Sequence, residues 1–214
     1  MRRAIQRAIL AAAAAAAPAF AHGQDQEPPA PSTESSLTLY AGYRFGGELG
    51  DVTTDQTWQL AEGPAYSLAA DFGLAPDRQW ELFVSRRHSA LRASGFSPAT
   101  DNLALHITYF HGGGTYFPGG QVGTGVYGVG GLGLTDLSPQ QAGLDSELHF
   151  SLNFGGGYMF PVSKHVGIRL EARAFVTFLK SSGGNLFCGG GCPVQAKGTL
   201  LTQGELMAGI SARF

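Results

Sequence analysis

Apolar residues recur at every second position along most of the chain. In the first such segment Leu37, Leu39, Ala41 and Tyr43 alternate with residues that are mostly polar or small. A period of two is that of a β-strand whose two faces differ in polarity. The alternation returns in seven further segments, so the sequence predicts an all-β chain of eight strands. The eight segments span residues 37–46, 66–74, 80–84, 103–109, 122–135, 148–160, 166–178 and 203–214.

The distribution of charge between the two faces separates a membrane barrel from a soluble one. Soluble barrels of the calycin type also have eight strands, but their outer surface meets water and should carry the charges. Here strand seven sets Arg169, Glu171 and Arg173 opposite the apolar Ile168, and Lys and Glu are sparse on the apolar faces throughout. Aromatic residues lie near strand ends, where transmembrane barrels carry their interfacial girdles. We therefore predict an eight-stranded antiparallel transmembrane β-barrel over residues 36–214.

The connectors support the same architecture. Those at 75–79 and 161–165 are short, whereas those after strands one, three, five and seven are longer. Short turns at one end and long loops at the other are typical of transmembrane barrels. The connector at 111–121 departs from this rule, since it should be short and is not. The facing of the glycine-dense fifth strand stays open.

The polar faces of the strands carry a nearly balanced set of ionisable residues. An eight-stranded barrel has an interior wide enough only for side chains, so these groups would be buried. Unpaired buried charges are costly, which predicts a hydrogen-bonded network that plugs the lumen, with Arg173 and Glu205 paired directly. Strand four is assigned with Leu105, Ile107 and Tyr109 outward and His106 inward. The predicted network comprises Arg44, Asp71, Glu81, His106, Arg169, Glu171, Arg173 and Glu205.

The first residues have the layout of a secretory signal peptide. Three arginines precede an alanine-rich apolar run, and Ala19-Phe20-Ala21 forms a small-x-small cleavage site. The alternative is a transmembrane helix, but the run reaches only about half of the ~20 residues that a helix needs to cross a bilayer. Residues 22–35 are polar and proline-rich, which is typical of a flexible leader. The predicted organisation is a signal peptide (1–21), a periplasmic leader (22–35) and the barrel (36–214).

Two cysteines, Cys188 and Cys192, flank three glycines in the connector after strand seven. An exported chain meets an oxidising compartment, so we expect a small disulfide ring. Such a ring adds at most roughly 2 kcal/mol by loop-closure entropy and would constrain only the loop. A redox pair or half of a metal site are the alternatives, but they lack thioredoxin-like spacing and further ligands nearby.

The charge balance limits the possible partners. A net charge of −2 argues against nucleic acid. Arg86, Arg87 and His88 lie where strand three should leave the membrane, so they are candidates for contact with the phosphates of lipopolysaccharide, with a solvated loop start as the equal alternative. The glycine runs lack the strand-turn-helix context of a phosphate-binding loop, and we expect neither a cofactor nor a metal.

The best candidate for catalysis is the pair His149 and Ser151. A lipid deacylase built on a barrel can use a His and a Ser two positions apart on one strand, with an acid on a neighbour, a role open to Glu171. Such residues must face lipid, whereas the alternation directs both of them inward. A lipid A deacylase is therefore a remote alternative, and we expect that the chain is not an enzyme.

Three segments carry a family resemblance. The sequences Gly-Tyr-Arg-Phe-Gly-Gly at 42–47 and Val-Gly-Ile-Arg-Leu-Glu-Ala-Arg at 166–173, with a last strand that ends at Phe214, resemble the small outer-membrane β-barrel family of the OmpA membrane domain, OmpX and OmpW. The resemblance implies the outer membrane of a Gram-negative bacterium, with outer-membrane lipid and lipopolysaccharide as surroundings. It also implies that Phe214 is read by the barrel-assembly machinery during biogenesis. We expect no peptidoglycan-binding domain after the barrel and therefore no anchoring role.

Two classes of function follow. The first is a non-enzymatic integral barrel with a plugged lumen, whose external loops carry a structural or surface-binding role. The second is a narrow transport barrel for small solutes. The state of the lumen distinguishes the two.

Overall fold

The computed structural model describes residues 34–50, 57–93, 103–179, 185–186, 194–195 and 200–214. The predicted signal peptide, nearly all of the leader and both cysteines lie outside these residues.

Eight long antiparallel strands form the wall of a closed barrel. They are β1 (Ser36–Gly46), β2 (Gly63–Ala75), β3 (Arg78–Ala93), β4 (Leu103–Tyr116), β5 (Gly125–Pro139), β6 (Glu147–Pro161), β7 (Val166–Phe178) and β8 (Leu200–Arg213). Each strand pairs with the strands before and after it, and β1 pairs with β8 to close the barrel. The predicted fold, an eight-stranded antiparallel β-barrel, is confirmed.

In the described parts of the connectors after β1 and β7 there are four short strands. Glu48–Gly50 pairs with Thr57–Leu60, which also pairs with the end of β3. Asn185–Leu186 pairs with Val194–Gln195. Among the described residues, no helix has the length and apolar character needed to cross a membrane.

The outer face of the barrel is apolar. Leu39, Leu82, Leu206 and Ile210 expose between 58% and 66% of their surface. An apolar surface of this extent is unfavourable in water, but it is what lipid chains require of a spanning segment. A closed sheet also has no unpaired edge, which is the second requirement for crossing hydrocarbon. The surface of the barrel is therefore that of a membrane protein.

Aromatic side chains are exposed toward both ends of the strands. Tyr43 and Tyr66 lie near one end of the barrel, and Trp80, Tyr158 and Phe160 lie near the other. Rings at the two ends of an apolar belt match the interfacial girdles of membrane barrels, because an aromatic residue favours the boundary between lipid and water.

The barrel end at which β1 begins and β8 ends has compact turns, at 76–77, 117–124 and 162–165. At this end the main chains of Ser35 and Phe214 hydrogen-bond to each other at 3.1 and 3.0 Å. The opposite end carries the longer connectors after β1, β3 and β7. By the usual rule for such barrels, the turn end is periplasmic and the other end is external.

The predicted facing of β4 is wrong. Leu105, Ile107 and Tyr109 point inward and are buried, whereas Phe110 is 48% exposed on the outer face. His106 also lies on the outer face. The prediction assumes that the apolar side chains of an alternating strand face lipid. Around β4, however, the interior of the barrel is itself lined by apolar and aromatic side chains, so the apolar face of this strand points inward.

The connector predicted at 111–121 is also corrected. β4 continues to Tyr116, so the turn begins at Phe117 and is shorter than expected. Phe117 and Val122 are buried against Tyr127 and Met159. This turn therefore packs into the periplasmic end of the interior.

The facing of β5, which the pattern left open, follows from burial. Tyr127, Val129 and Thr135 point inward, and Val126 and Leu132 are exposed on the outside.

Candidate functional site in the barrel interior

The interior holds four arginines and four carboxylates among the described residues, each with at most 4% of its surface exposed. They occupy inward positions of β1, β2, β3, β7 and β8. Seven of the eight are the ones that strand alternation directs inward, whereas the eighth, Arg87, is expected from the sequence to contact lipopolysaccharide or to begin a solvated loop. The set comprises Arg44, Arg87, Arg169, Arg173, Asp71, Glu81, Glu171 and Glu205.

The pair nearest the external end is formed by Arg44 and Glu205. These residues lie directly opposite each other on β1 and β8. The Arg44 Nε and Nη2 atoms donate to Glu205 Oε2 at 2.9 and 2.5 Å. Arg44 also donates to Ser85, and the Ser67 hydroxyl oxygen lies 2.7 Å from Ser85 Oγ and 3.3 Å from Glu205 Oε1. The charged pair is therefore enclosed by hydroxyl groups from β2 and β3.

A layer of aromatic rings lies beneath this pair. The Arg44 guanidinium lies 4.7 Å from the centroid of Tyr109 and 4.9 Å from that of Phe175. The rings of Tyr109 and Phe175 stack at 4.3 Å, and Phe83 stacks on Phe175 at 6.1 Å. Cation-π contacts of this kind are strongest when both groups are desolvated. The rings of Phe83, Tyr109 and Phe175 are all buried in the barrel interior.

Arg173 lies on the other side of the aromatic layer, 3.8 Å from the centroid of Phe83. Its two terminal nitrogens donate to the two carboxylate oxygens of Glu81 at 3.0 and 3.3 Å. Its Nε donates to Glu171 at 2.6 Å. A bidentate pair with a further charged hydrogen bond satisfies most of the donors of this guanidinium.

Arg169 lies nearer the periplasmic end. Its Nη1 donates to Asp71 at 2.7 Å, and its Nη2 lies 3.5 Å from Glu171. Two tyrosine hydroxyls, from Tyr40 and Tyr127, donate to Glu171 at 3.1 and 2.7 Å. The lower cluster thus joins two arginines to three carboxylates through shared hydrogen bonds.

The expected direct pair between Arg173 and Glu205 does not form. Their main chains are opposite each other on β7 and β8, but Glu205 binds Arg44 whereas Arg173 reaches across the interior to Glu81. His106, the remaining member of the predicted network, lies on the outer face and takes no part in it. Strand alternation predicts the correct side for the seven Arg, Asp and Glu members of the network but not for His106, and it does not predict which charges pair.

The three residues predicted to contact lipopolysaccharide are divided by the same alternation. Arg86 and His88 are exposed on the outer face of β3, whereas Arg87 points inward and is 2% exposed. Arg87 donates to the main-chain oxygen of Arg44 at 2.9 Å and to Ser89 at 3.1 Å. The prediction that Arg87 contacts lipopolysaccharide is therefore wrong.

The candidate catalytic residues point inward, as the alternation indicates. His149 Nε2 lies 2.9 Å from Glu147, and the Ser151 hydroxyl lies 2.9 Å from Nε2 of His111 on β4. The proposed acid, Glu171, is bound by arginine and tyrosine side chains instead. His149 and Ser151 are buried at 3% and 0% exposure.

Sequence reasoning missed the hydroxyl and aromatic groups that complete the interior. Tyr40, Phe83 and Ser85 each lie an even number of positions from an inward charged residue on the same strand. Alternation could therefore have placed these three side chains in the interior. Tyr109 and Tyr127 were missed for another reason, because the facing of β4 was inverted and that of β5 was left open.

Comparison with solved structures gives the same fold. The outer membrane protein OprG from Pseudomonas aeruginosa is 10% identical, with a TM-score of 0.52, and the match covers 87% of this chain and 98% of OprG. The outer membrane protein AlkL, in DMPC bilayers, is 11% identical with a TM-score of 0.52, covering 93% of this chain and 95% of AlkL. No protein-family model and no curated protein matches the sequence. At these identities the similarity concerns the fold, which is that of the small eight-stranded β-barrels of the outer membrane.

Proposed function

We propose that the chain is an integral outer-membrane barrel whose lumen is closed by buried ion pairs, and that its role is structural or surface-directed through the external connectors. The observation that carries the proposal is that the buried arginines of the interior are paired with buried carboxylates. Arg44 is paired with Glu205 near the external end, and Arg173 is paired with Glu81 below the aromatic layer.

The burial of these charges supports a closed lumen. In a water-filled channel, lumenal charges are hydrated and exposed, whereas each of these eight groups exposes at most 4% of its surface. Displacing one side chain to admit water would separate a buried pair, which typically costs ~3–5 kcal/mol. The stacked rings of Tyr109 and Phe175 pack against the Arg44 guanidinium, which also supports a closed interior.

The outer surface supports outer-membrane lipid and lipopolysaccharide as the surroundings. On β3 the outward residues change from Leu82 and Val84 to Arg86, which is exposed toward the external end. A guanidinium at that level suits the phosphate groups of a lipopolysaccharide leaflet. The closed interior argues against lipid deacylation at His149, because that side chain faces away from lipid.

A narrow transport barrel for small solutes is the second candidate. It is favoured by polar atoms in the interior that have no hydrogen-bond partner among the described residues: Arg44 Nη1, His111 Nδ1 and Asn153 Oδ1. Buried polar atoms of this kind are usually satisfied by water. A connected file of such waters would give a conducting path.

Solute flux into proteoliposomes separates the two candidates. Folded barrel in vesicles is compared with empty vesicles and with vesicles that contain an open general porin, for small sugars and amino acids of increasing size. The closed lumen predicts swelling rates equal to those of empty vesicles. Size-dependent uptake by the wild-type barrel would contradict it and favour transport.

A further inference from the structure

Two histidines lie side by side on the outer surface of the barrel, toward its external end. His88 on β3 and His106 on β4 are opposite each other in the strand register, and their ring centroids are 3.9 Å apart. On β3 the successive outward-facing residues are Val84, Arg86 and His88, so His88 lies beyond the apolar belt toward the external end. Neither ring belongs to the interior network described above.

The ring nitrogens of the two histidines converge on one atom. The side-chain nitrogen of Gln140 lies 2.6 Å from His106 Nε2 and 3.3 Å from His88 Nδ1. An amide nitrogen only donates hydrogen bonds, so both ring nitrogens act as acceptors and direct their lone pairs to the same place. Two neutral imidazoles aimed at one electron-poor position are also how proteins hold divalent transition-metal ions.

We propose that His88 and His106 bind a divalent transition-metal ion such as Zn²⁺ or Cu²⁺, with Gln140 as a third ligand. The ion takes the place of the amide nitrogen, and the exposed Gln140 side chain withdraws by about a bond length and turns its amide oxygen toward the ion. Bonds from imidazole nitrogen to zinc are about 2.0–2.1 Å, so the side chains need to close by roughly 1 Å. His88 and Gln140 are exposed and have room to make that movement. Water completes the coordination.

The surroundings are compatible with a cation. Two positions along the strands from the histidine pair, Thr108 lies between Arg86 on β3 and Asp136 on β5. The positive charge of Arg86 near the site is therefore balanced by the negative charge of Asp136. In the described part of the chain no three His, Cys, Asp or Glu residues are grouped to hold a metal, so the amide and water are the completing ligands. Because Gln140 begins the connector after β5, a bound ion would fix that external connector to the barrel wall.

The test uses the untagged, folded full-length barrel in detergent. In all variants Cys188→Ser, Cys192→Ser and His22→Ala are present, so that thiols and the leader histidine do not compete. Calorimetric titration with Zn²⁺ should give one ion per chain. His88→Ala and His106→Ala should each weaken binding by at least about tenfold, because imidazole supplies the strongest ligands at the site. The matched control is His165→Ala, at an exposed histidine in the opposite turn, which should bind Zn²⁺ as the parent does.

Two further readouts make the assignment specific. Gln140→Glu should tighten Zn²⁺ binding, since a carboxylate is a stronger ligand than an amide, and Gln140→Ala should weaken it. The electron paramagnetic resonance spectrum of the Cu²⁺ form should show two coupled ring nitrogens, and His106→Ala should show one. The proposal is overturned if the parent binds no Zn²⁺, or if His106→Ala binds it as tightly as His165→Ala while both variants are folded.

Discussion

Glu205 lies opposite Arg44 on the neighbouring strand, and both side chains are buried. Replacing either one by alanine leaves the other charge without its partner, which typically costs ~3–5 kcal/mol of folding free energy. The double change should therefore cost less than the sum of the single changes. Urea unfolding of the barrel in lipid vesicles measures all three free energies.

A second cycle, Arg173→Ala with Glu205→Ala, is the matched control. These two residues face each other in main-chain register but bind different partners. Their costs should come closer to adding than those of Arg44 and Glu205, because they share no direct ion pair. If the Arg44 and Glu205 changes simply add while this second pair does not, the assignment of partners is incorrect.

Gly157 makes room for a network residue. A Cβ at this position would overlap the main-chain oxygen of Leu170 and lie 2.6 Å from the hydroxyl of Tyr127, which binds Glu171. Gly157→Ala should destabilise the barrel by about 1–3 kcal/mol, the usual cost of overpacking. Gly128→Ala, where the added carbon meets nothing within 4 Å, should change the unfolding free energy much less. Equal effects of the two substitutions would show that the contact with Tyr127 is unimportant.

For individual residues, the sequence predicts whether a charged side chain faces the interior better than it predicts which charged side chains form ion pairs. Parity along β1 and β7 places Arg44 and Arg173 inside from the sequence alone. Their partners depend on how far each strand is staggered against the next and on which side chains reach across the interior. Those distances involve residues far apart in the chain, so alternation along one strand contains no information about them.

Among the strands, β7 and β4 show where alternation succeeds and where it fails. β7 has charged residues on one face and apolar residues on the other, so its facing was unambiguous. β4 is apolar at both Tyr109 and Phe110, one of which stacks on Phe175 in the interior while the other faces lipid. The polarity of the side chains cannot show which face of β4 points inward, because one face meets lipid, the other meets the aromatic layer, and both surroundings are apolar.

The last strand ends at Phe214, which is 77% exposed and pairs its main chain with Ser35. If the assembly machinery reads this residue, Phe214→Asp should reduce the yield of folded barrel in cells. Phe160→Asp removes another exposed aromatic residue at the same end and should reduce the yield less, and a similar change at Gln26 in the leader should have no effect. Equal yields for Phe214→Asp and the Gln26 change would refute the assembly role.

The connector after β7 contains Cys188 and Cys192, outside the described residues, and the disulfide stays a prediction. In protein taken from the cell envelope, both thiols should resist alkylation until a reductant is added. The double serine variant should still insert, because the ring constrains only a loop. Two thiols that react freely without reductant would contradict the disulfide.

For the whole molecule, the closed sheet and its apolar exterior should give a protein that fractionates with the outer membrane. A folded barrel of this kind resists detergent, so unheated and boiled samples should migrate differently on a gel. Recovery as a soluble periplasmic protein, with one mobility under both conditions, would contradict the membrane barrel. This level of structure was predictable because it needs only strand parity and connector length, whereas the filling of the interior needs the pairing of Arg44, Arg169 and Arg173.

Single-channel recording in a planar bilayer tests the closed lumen most directly. Barrel whose folding and insertion are verified by heat-dependent mobility should give no steady conductance if the ion pairs and the Tyr109 and Phe175 rings close the interior as proposed. Glu205→Ala should admit small ion currents, since Arg44 then loses its partner and the space beside it opens. Steady conductance from the wild-type barrel would contradict the closed lumen and place the transport function first.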